Sequence, residues 1–130
     1  MTADSRLSAV ASLRGLAVGD AIGACYFRPE NVPLLAEREL PPDPWWWTDD
    51  TEMACSVVDE LAVHGRIDRD RLASAFSRRY EPYRGYGGGA GVILRQIREG
   101  VPWRGAGRGR VARGRVRGAR APGRGGPRGA

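Results

Sequence analysis

After residue 104 the chain holds only Gly, Arg, Ala, Val and Pro, with two valines as its sole sizeable aliphatic side chains. Such a stretch has nothing with which to bury a core, and residues 105–130 are expected to be disordered. Folding therefore falls to residues 1–104, one domain at most in a chain of 130 residues. The same boundary divides the charge. The final stretch carries +8 from eight arginines and no acid; the formal total is +6, which leaves −2 on the folding part. No lysine occurs, so all 21 basic residues are arginine, a pattern read as GC-rich coding bias rather than function.

The folding part reads as all-α. Leu7, Val10, Leu13, Leu16 and Ala17, then Ala21 and Ile22, recur at helical spacing behind a cap at Asp4 or Ser5. Gly15, Gly19 and Gly23 form a stripe without side chains on that helix, which suggests close approach of another backbone or a ligand. Residues 27–47 contain five prolines and read as a loop. A second helix is expected over residues 50–64, burying Met53, Ala54, Val57, Val58, Leu61 and Ala62 and ending at Gly65. Asp68 caps a third, with Leu72, Phe76 and Tyr80 repeating every four residues. A glycine-rich turn over residues 84–91 leads to a fourth, over residues 92–99. No segment of residues 1–104 shows sustained strand alternation.

Cys25 and Cys55 lack a CxxC or Cys/His neighbour and read as free thiols in a reducing, cytoplasmic setting. Arg14 and Asp20 interrupt the apolar run of the first helix, so a membrane span is not expected, and no secretory signal is apparent.

Chemistry concentrates at Thr48-Asp49-Asp50-Thr51, directly after Trp45, Trp46 and Trp47. Compact anionic oxygens on a helix start are what hard divalent cations bind. The same residues also make an ordinary helix start. Asp49 can accept from a backbone N–H, Glu52 three positions on can complete a capping box, and acids there suit the helix dipole. Tryptophans in such a run are more often packing residues or loop anchors than ligand platforms. The turn before the fourth helix can hold phosphate on free N–H groups or be no more than a flexible turn. His64, the single histidine, is placed to meet the C-terminal dipole of its helix.

Four motifs stand in order: Arg14-Gly15-Leu16-Ala17-Val18-Gly19-Asp20-Ala21-Ile22-Gly23, Trp47-Thr48-Asp49-Asp50-Thr51-Glu52-Met53-Ala54, Arg84-Gly85-Tyr86-Gly87, and Gly100-Val101-Pro102-Trp103-Arg104. The series resembles the N-terminal part of the ADP-ribosylglycohydrolase family, whose members include dinitrogenase reductase-activating glycohydrolase. The resemblance covers about residues 6–104 and implies an all-helical domain around two Mg²⁺ ions, with Mn²⁺ as an alternative. It implies hydrolysis of the glycosidic bond between ADP-ribose and a protein side chain or small acceptor. It makes Thr48, Asp49 and Asp50 metal ligands, Asp20 and Glu30 second-rank catalytic candidates, and Gly85, Tyr86 and Gly87 substrate-binding candidates. Where some family members place a loop glutamate, this chain has Phe27, and Glu30 is the nearest carboxylate. Two family segments have no counterpart here: a glycine-rich Gly-Asn-Gly stretch that holds ADP-ribose, and a second ligand motif of the form Asp-x-Asp-Thr. The arginine-rich residues stand in their place, which suggests a shifted reading frame, an inactive chain and apolar helix faces left exposed. The competing expectation is a non-enzymatic protein that binds nucleic acid through its Arg/Gly tail. Eight charges would release counterions, but the tail has no aromatic residue for base stacking.

Overall fold

A computed structural model describes residues 1–108 of the protein. Within them lie five α-helices and no strand: α1 (Ala3–Cys25), α2 (Val32–Glu37), α3 (Asp49–His64), α4 (Arg69–Arg79) and α5 (Gly88–Arg98). The expected all-α class holds among the described residues, and the expectation of a disordered tail falls almost wholly outside them, on residues 109–130. Helix α3 packs against α1 and α4, and α5 packs on α4.

Three boundaries differ from the sequence reading. The cap of α1 is Thr2, whose hydroxyl accepts from Ser5 N at 3.2 Å; Asp4 lies in the first turn, where its charge suits the dipole. Residues 27–47 are not all loop. A 3-10 turn, Pro29–Asn31, leads into α2, because Pro33 in a first turn has the φ a helix needs and lacks only an N–H the helix does not use. Helix α5 starts at Gly88, inside the glycine-rich stretch. Packing explains this: a Cβ on Gly91 would lie 2.7 Å from the Tyr80 hydroxyl, so glycine is what lets this turn close on Tyr80.

The C-cap of α3 and the N-cap of α4 follow expectation, while the N-cap of α3 is Thr48 and not Asp49. Gly65 adopts φ +68° and its N–H reaches Leu61 O at 2.9 Å; Asp68 accepts from Asp70 N and Arg71 N at 3.0 and 2.9 Å. The buried row of α3 is a correction. Thr51, Glu52, Ser56 and Glu60 are its buried residues, while Met53, Ala54, Val57, Val58, Leu61 and Ala62 are half-buried. The helix has neighbours on two sides: Thr51 meets Asp20 of α1, Ser56 and Glu60 meet α4, and Glu52 meets the segment after α4, so the apolar residues fall to the flanks of this row. Each member of that row is paired: Glu52 with Tyr86, Ser56 with Arg79 and Glu60 with Arg71. The Arg71 guanidinium on Glu60 holds that carboxyl below its usual value.

Apolar burial is thin. Ala21, Cys25, Tyr80 and Leu94 are the buried hydrophobic residues among those described, whereas Leu7, Val18 and Val63 are 71%, 58% and 74% exposed. Exposure of apolar helix faces is therefore observed. Helix α1 has the length of a membrane span and a mean hydropathy of 1.2 over its best stretch, but its C-terminal half docks on α3 through Asp20. Behind it, the loop is fastened back. Asn31 Nδ2 donates to Cys25 O at 2.9 Å, and the Tyr26 hydroxyl donates to Glu39 O at 2.7 Å.

Candidate functional site

The first turn of α3 is held by a residue of α1. The Asp20 carboxylate accepts four hydrogen bonds: from Thr48 N at 2.7 Å, Thr48 Oγ1 at 2.5 Å, Thr51 N at 3.3 Å and Thr51 Oγ1 at 2.6 Å. Positions 48 and 51 lie one turn apart, so both hydroxyls face α1 together. Partial burial pushes the Asp20 carboxyl up, but the hydrogen bonds from Thr48 and Thr51 outweigh it and hold it below the usual aspartate value. With both oxygens engaged, Asp20 positions the site and is not free as an acid or base. The expected capping box does not form: Thr48 is the N-cap, which puts Thr51 and not Glu52 at the third helical position, and Glu52 accepts from Tyr86 and Glu81 N instead.

Beside this clamp opens a cavity of about 570 Å³. Its walls are Gly19, Asp20, Gly23, Ala24 and Phe27 from α1 and the turn after it, Thr48, Asp49 and Asp50 from the start of α3, and Gly85. The three oxygen-bearing residues and the glycine stripe thus share one space. No described protein atom comes within 4 Å of a Cβ built on Gly15, Gly19 or Gly23, so the stripe receives no backbone and two of its glycines border the cavity. Gly85 adopts φ +91°, a conformation L side chains rarely take, and a Cβ there would sit 3.7 Å from Asp49 Oδ1.

The hydroxyl of Thr48 donates to Asp20 and accepts from Asp50 N at 3.4 Å. The donor set is chemically suited to a hard cation: two carboxylates and one hydroxyl whose proton is engaged by Asp20. It supplies one face of such a site. Among the described residues no group of three or more His, Cys, Asp or Glu side chains is gathered around one point.

The other candidates scatter. Glu30 is exposed on the 3-10 turn and lies outside the cavity walls, while Phe27 lines them. Of the second trio, Gly85 faces the cavity. Tyr86 turns inward, its hydroxyl donating to Glu52 Oε2 at 2.7 Å and its ring edge-on to Tyr80 at 4.9 Å. Desolvation and then the Glu52 hydrogen bond raise its phenol well above the ordinary value. Gly87 caps α5 without lining the cavity. Sequence reasoning missed the roles of Thr51 and Glu52. The spacing of Thr48 and Thr51 was a usable signal; nothing local marks Glu52 as the buried acceptor of Tyr86 O–H and Glu81 N. The tryptophans divide. Trp45 Nε1 donates to Pro41 O at 2.9 Å, Trp47 stacks under the Arg84 guanidinium at 3.3 Å, and Trp46 is 65% exposed. His64 ends α3 and lies 3.8 Å from Glu60.

Known proteins are similar to this chain in sequence. ADP-ribosylhydrolase ARH3 of Bos taurus is 32% identical over 100 residues, covering 65% of this chain and 27% of that protein. ARH3 of Homo sapiens is 30% identical over 101 residues, covering 65% of this chain and 28% of that protein. The chain thus spans about a quarter of the length of the curated relatives it matches. No solved structure matches it significantly. The sequence profile of the ADP-ribosylglycohydrolases matches residues 1–127, past the boundary at residue 104 that composition and motifs draw. The chain belongs to the ADP-ribosylglycohydrolase family.

Proposed function

We propose that this chain carries the N-terminal half of a metal-dependent site for hydrolysis of the ADP-ribose glycosidic bond. The observation that supports this is the shared cavity, in which Thr48, Asp49 and Asp50 face the glycine-lined end of α1. Thr48, Asp49 and Asp50 are the residues that would hold Mg²⁺, or Mn²⁺ in its place, as a pair of ions. Bound there, divalent cations supply charge that orients ribose hydroxyls and lowers the pKa of water. The chain's own part is to prepare the oxygens. Asp20 accepts the hydrogen bond of the Thr48 hydroxyl, which leaves Oγ1 one lone pair beyond the bond it accepts from Asp50 N, and Asp49 and Asp50 stand in the first turn of α3, at the positive end of its dipole. Gly85 leaves the wall opposite Asp49 without a side chain. Glu30 enters this scheme only by movement of its turn.

Relatives named for hydrolysis of ADP-ribosyl groups make an ADP-ribosylated protein or small molecule the proposed substrate. Two free thiols suit the reducing cytoplasm as its setting. Three oxygens supply too few ligands for two hard cations, so the residues described here are expected to bind Mg²⁺ weakly and to hydrolyse nothing by themselves.

Thermal melts with and without Mg²⁺ test the metal reading. At ten times Kd a ligand that prefers the native state adds about 1.4 kcal/mol, a rise of several degrees in Tm. The rise should vanish in the Asp49→Ala/Asp50→Ala double variant. An equal rise in that variant, or none at high millimolar Mg²⁺, would sink the assignment. Release of ADP-ribose from a modified protein, lost in the same variant, would overturn the expected inactivity.

A further inference from the structure

Three cavities share walls. The candidate cavity has Thr48 and Gly85 in common with a second, lined also by Trp46, Trp47, Tyr83 and Arg84. The second has Trp47 and Arg84 in common with a third, of about 550 Å³, whose walls include Arg78, Arg79 and Arg98. A continuous groove therefore runs from the α3 carboxylates, over a stacked Trp47–Arg84 pair, to a cluster of guanidinium groups. Trp46 and Tyr83 stand 65% and 73% exposed along it.

The charge in the far cavity is not balanced. Its acids are engaged: Glu52 accepts from Tyr86 and Glu81 N, and Glu81 accepts from Tyr83 and Arg84. Arg79 is paired with Asp59. Arg78 contacts the Ser74 hydroxyl, and Arg98 donates to the carbonyls of Ser77, Arg78 and Tyr80. Neither Arg78 nor Arg98 has a carboxylate partner among the described residues, and residues 109–130 contain no Asp or Glu to supply one.

We propose that this groove is the docking track for an acidic segment of the ADP-ribosylated polypeptide. A carboxylate of that segment meets Arg78 and Arg98, and an adjoining side chain lies on the Trp46–Tyr83 ledge. Cationic side chains left without a carboxylate partner select an anionic segment and repel a basic one. The inference rests on the reading of the adjoining cavity as the hydrolytic site, since that reading is what brings a modified polypeptide to its mouth.

The test uses the full chain and a fluorescent ten-residue peptide of alternating Glu and Gly, read by anisotropy. The arginine-rich tail attracts such a peptide too, and equally in every variant, so differences between variants carry the answer. Arg78→Glu is expected to weaken binding about tenfold, while Arg6→Glu, the same change of net charge on the exposed start of α1, moves it less than about twofold. Trp46→Ala is expected to weaken it about threefold, and a Lys/Gly peptide is expected not to bind. Equal affinities for Arg78→Glu and Arg6→Glu, or equal binding of both peptides, would overturn the docking track. Mg²⁺-dependent melts on the same variants separate the two ideas. Mg²⁺ stabilisation retained in Arg78→Glu with peptide affinity unchanged defeats the groove alone; its absence in the unaltered chain defeats the hydrolytic reading.

Discussion

Asp20→Asn tests whether one carboxylate on α1 holds the start of α3. The aspartate accepts four hydrogen bonds, three on Oδ2 and one on Oδ1. The amide keeps an oxygen where Oδ2 stood and presents NH₂ to Thr48 Oγ1, which can rotate and accept. The loss is therefore mainly of charge. Hydrogen bonds to a charged group contribute about 1.5–3 kcal/mol and neutral ones about 0.5–1.5, so three retained bonds weaken by about 1 kcal/mol each. The favourable contact with the α3 dipole, roughly 0.3–1 kcal/mol, goes as well. Partial exposure lets water restore some of this, and a net cost of about 2 kcal/mol is expected. Urea unfolding followed by circular dichroism reads it as a drop in midpoint of about 1.5 M if m is about 1.3 kcal/mol/M. The sign with pH is fixed. The Asp20 pKa is lowered on folding, so its contribution is complete above the ordinary value of 3.8 and fades as pH falls through the folded value. The variant's deficit must therefore shrink in acid. A midpoint within about 0.3 M of the unaltered chain at pH 7, or a deficit that grows in acid, would refute the clamp.

Tyr86→Phe should cost about 1–2 kcal/mol at neutral pH by removing a donor to the buried Glu52 carboxylate. Its phenol pKa is raised on folding, so that contribution persists below the ordinary value of 10.0 and is lost as pH climbs beyond it; the variant should flatten the alkaline limb of a stability profile. Gly91→Ala places a methyl 2.7 Å from the Tyr80 hydroxyl and should cost about 1–3 kcal/mol in a urea melt, since α5 or Tyr80 must shift. Gly85→Ala forces φ +91° on an L residue and should cost about 1 kcal/mol or more, with weakened Mg²⁺ stabilisation because the methyl stands against Asp49; unaltered melts with and without Mg²⁺ would count against that wall.

Local signals were legible and distant ones were not. Gly65 and Asp68 mark helix ends through side-chain and backbone preferences that act within four residues, and both lie where the sequence placed them, whereas the N-cap of α3 is Thr48 and not the expected Asp49. The buried row of α3 was misread because amphipathicity identifies one apolar face, and this helix has neighbours on two sides. Glu52 looked like a capping glutamate for the same reason. Its partners Glu81 and Tyr86 lie 29 and 34 positions away, and no local rule foresees them. Glycine at positions 88, 89 and 91 argued for a turn by propensity, yet packing against Tyr80 made it helix. For the site, Thr48, Asp49, Asp50 and Gly85 were legible and share one cavity; Glu30, Tyr86 and Gly87 do not join them there.

The clamp and the cavity have one cause. A helix start lined with Asp49, Asp50 and Glu52 crowds negative charge into one turn, and another acid nearby would ordinarily add repulsion. Asp20 is tolerated because its charge is spent on four donors of that same turn, two of them backbone N–H groups that a helix start leaves unsatisfied. Glu52 lies outside the cavity walls and accepts from Tyr86 O–H and Glu81 N. Asp49, Asp50 and the remaining lone pair of Thr48 Oγ1 share the cavity with Asp20, on a backbone that Asp20 fixes. Asp20 thus holds the turn that carries Asp49 and Asp50, which is the preorganisation that the proposed cation site would need.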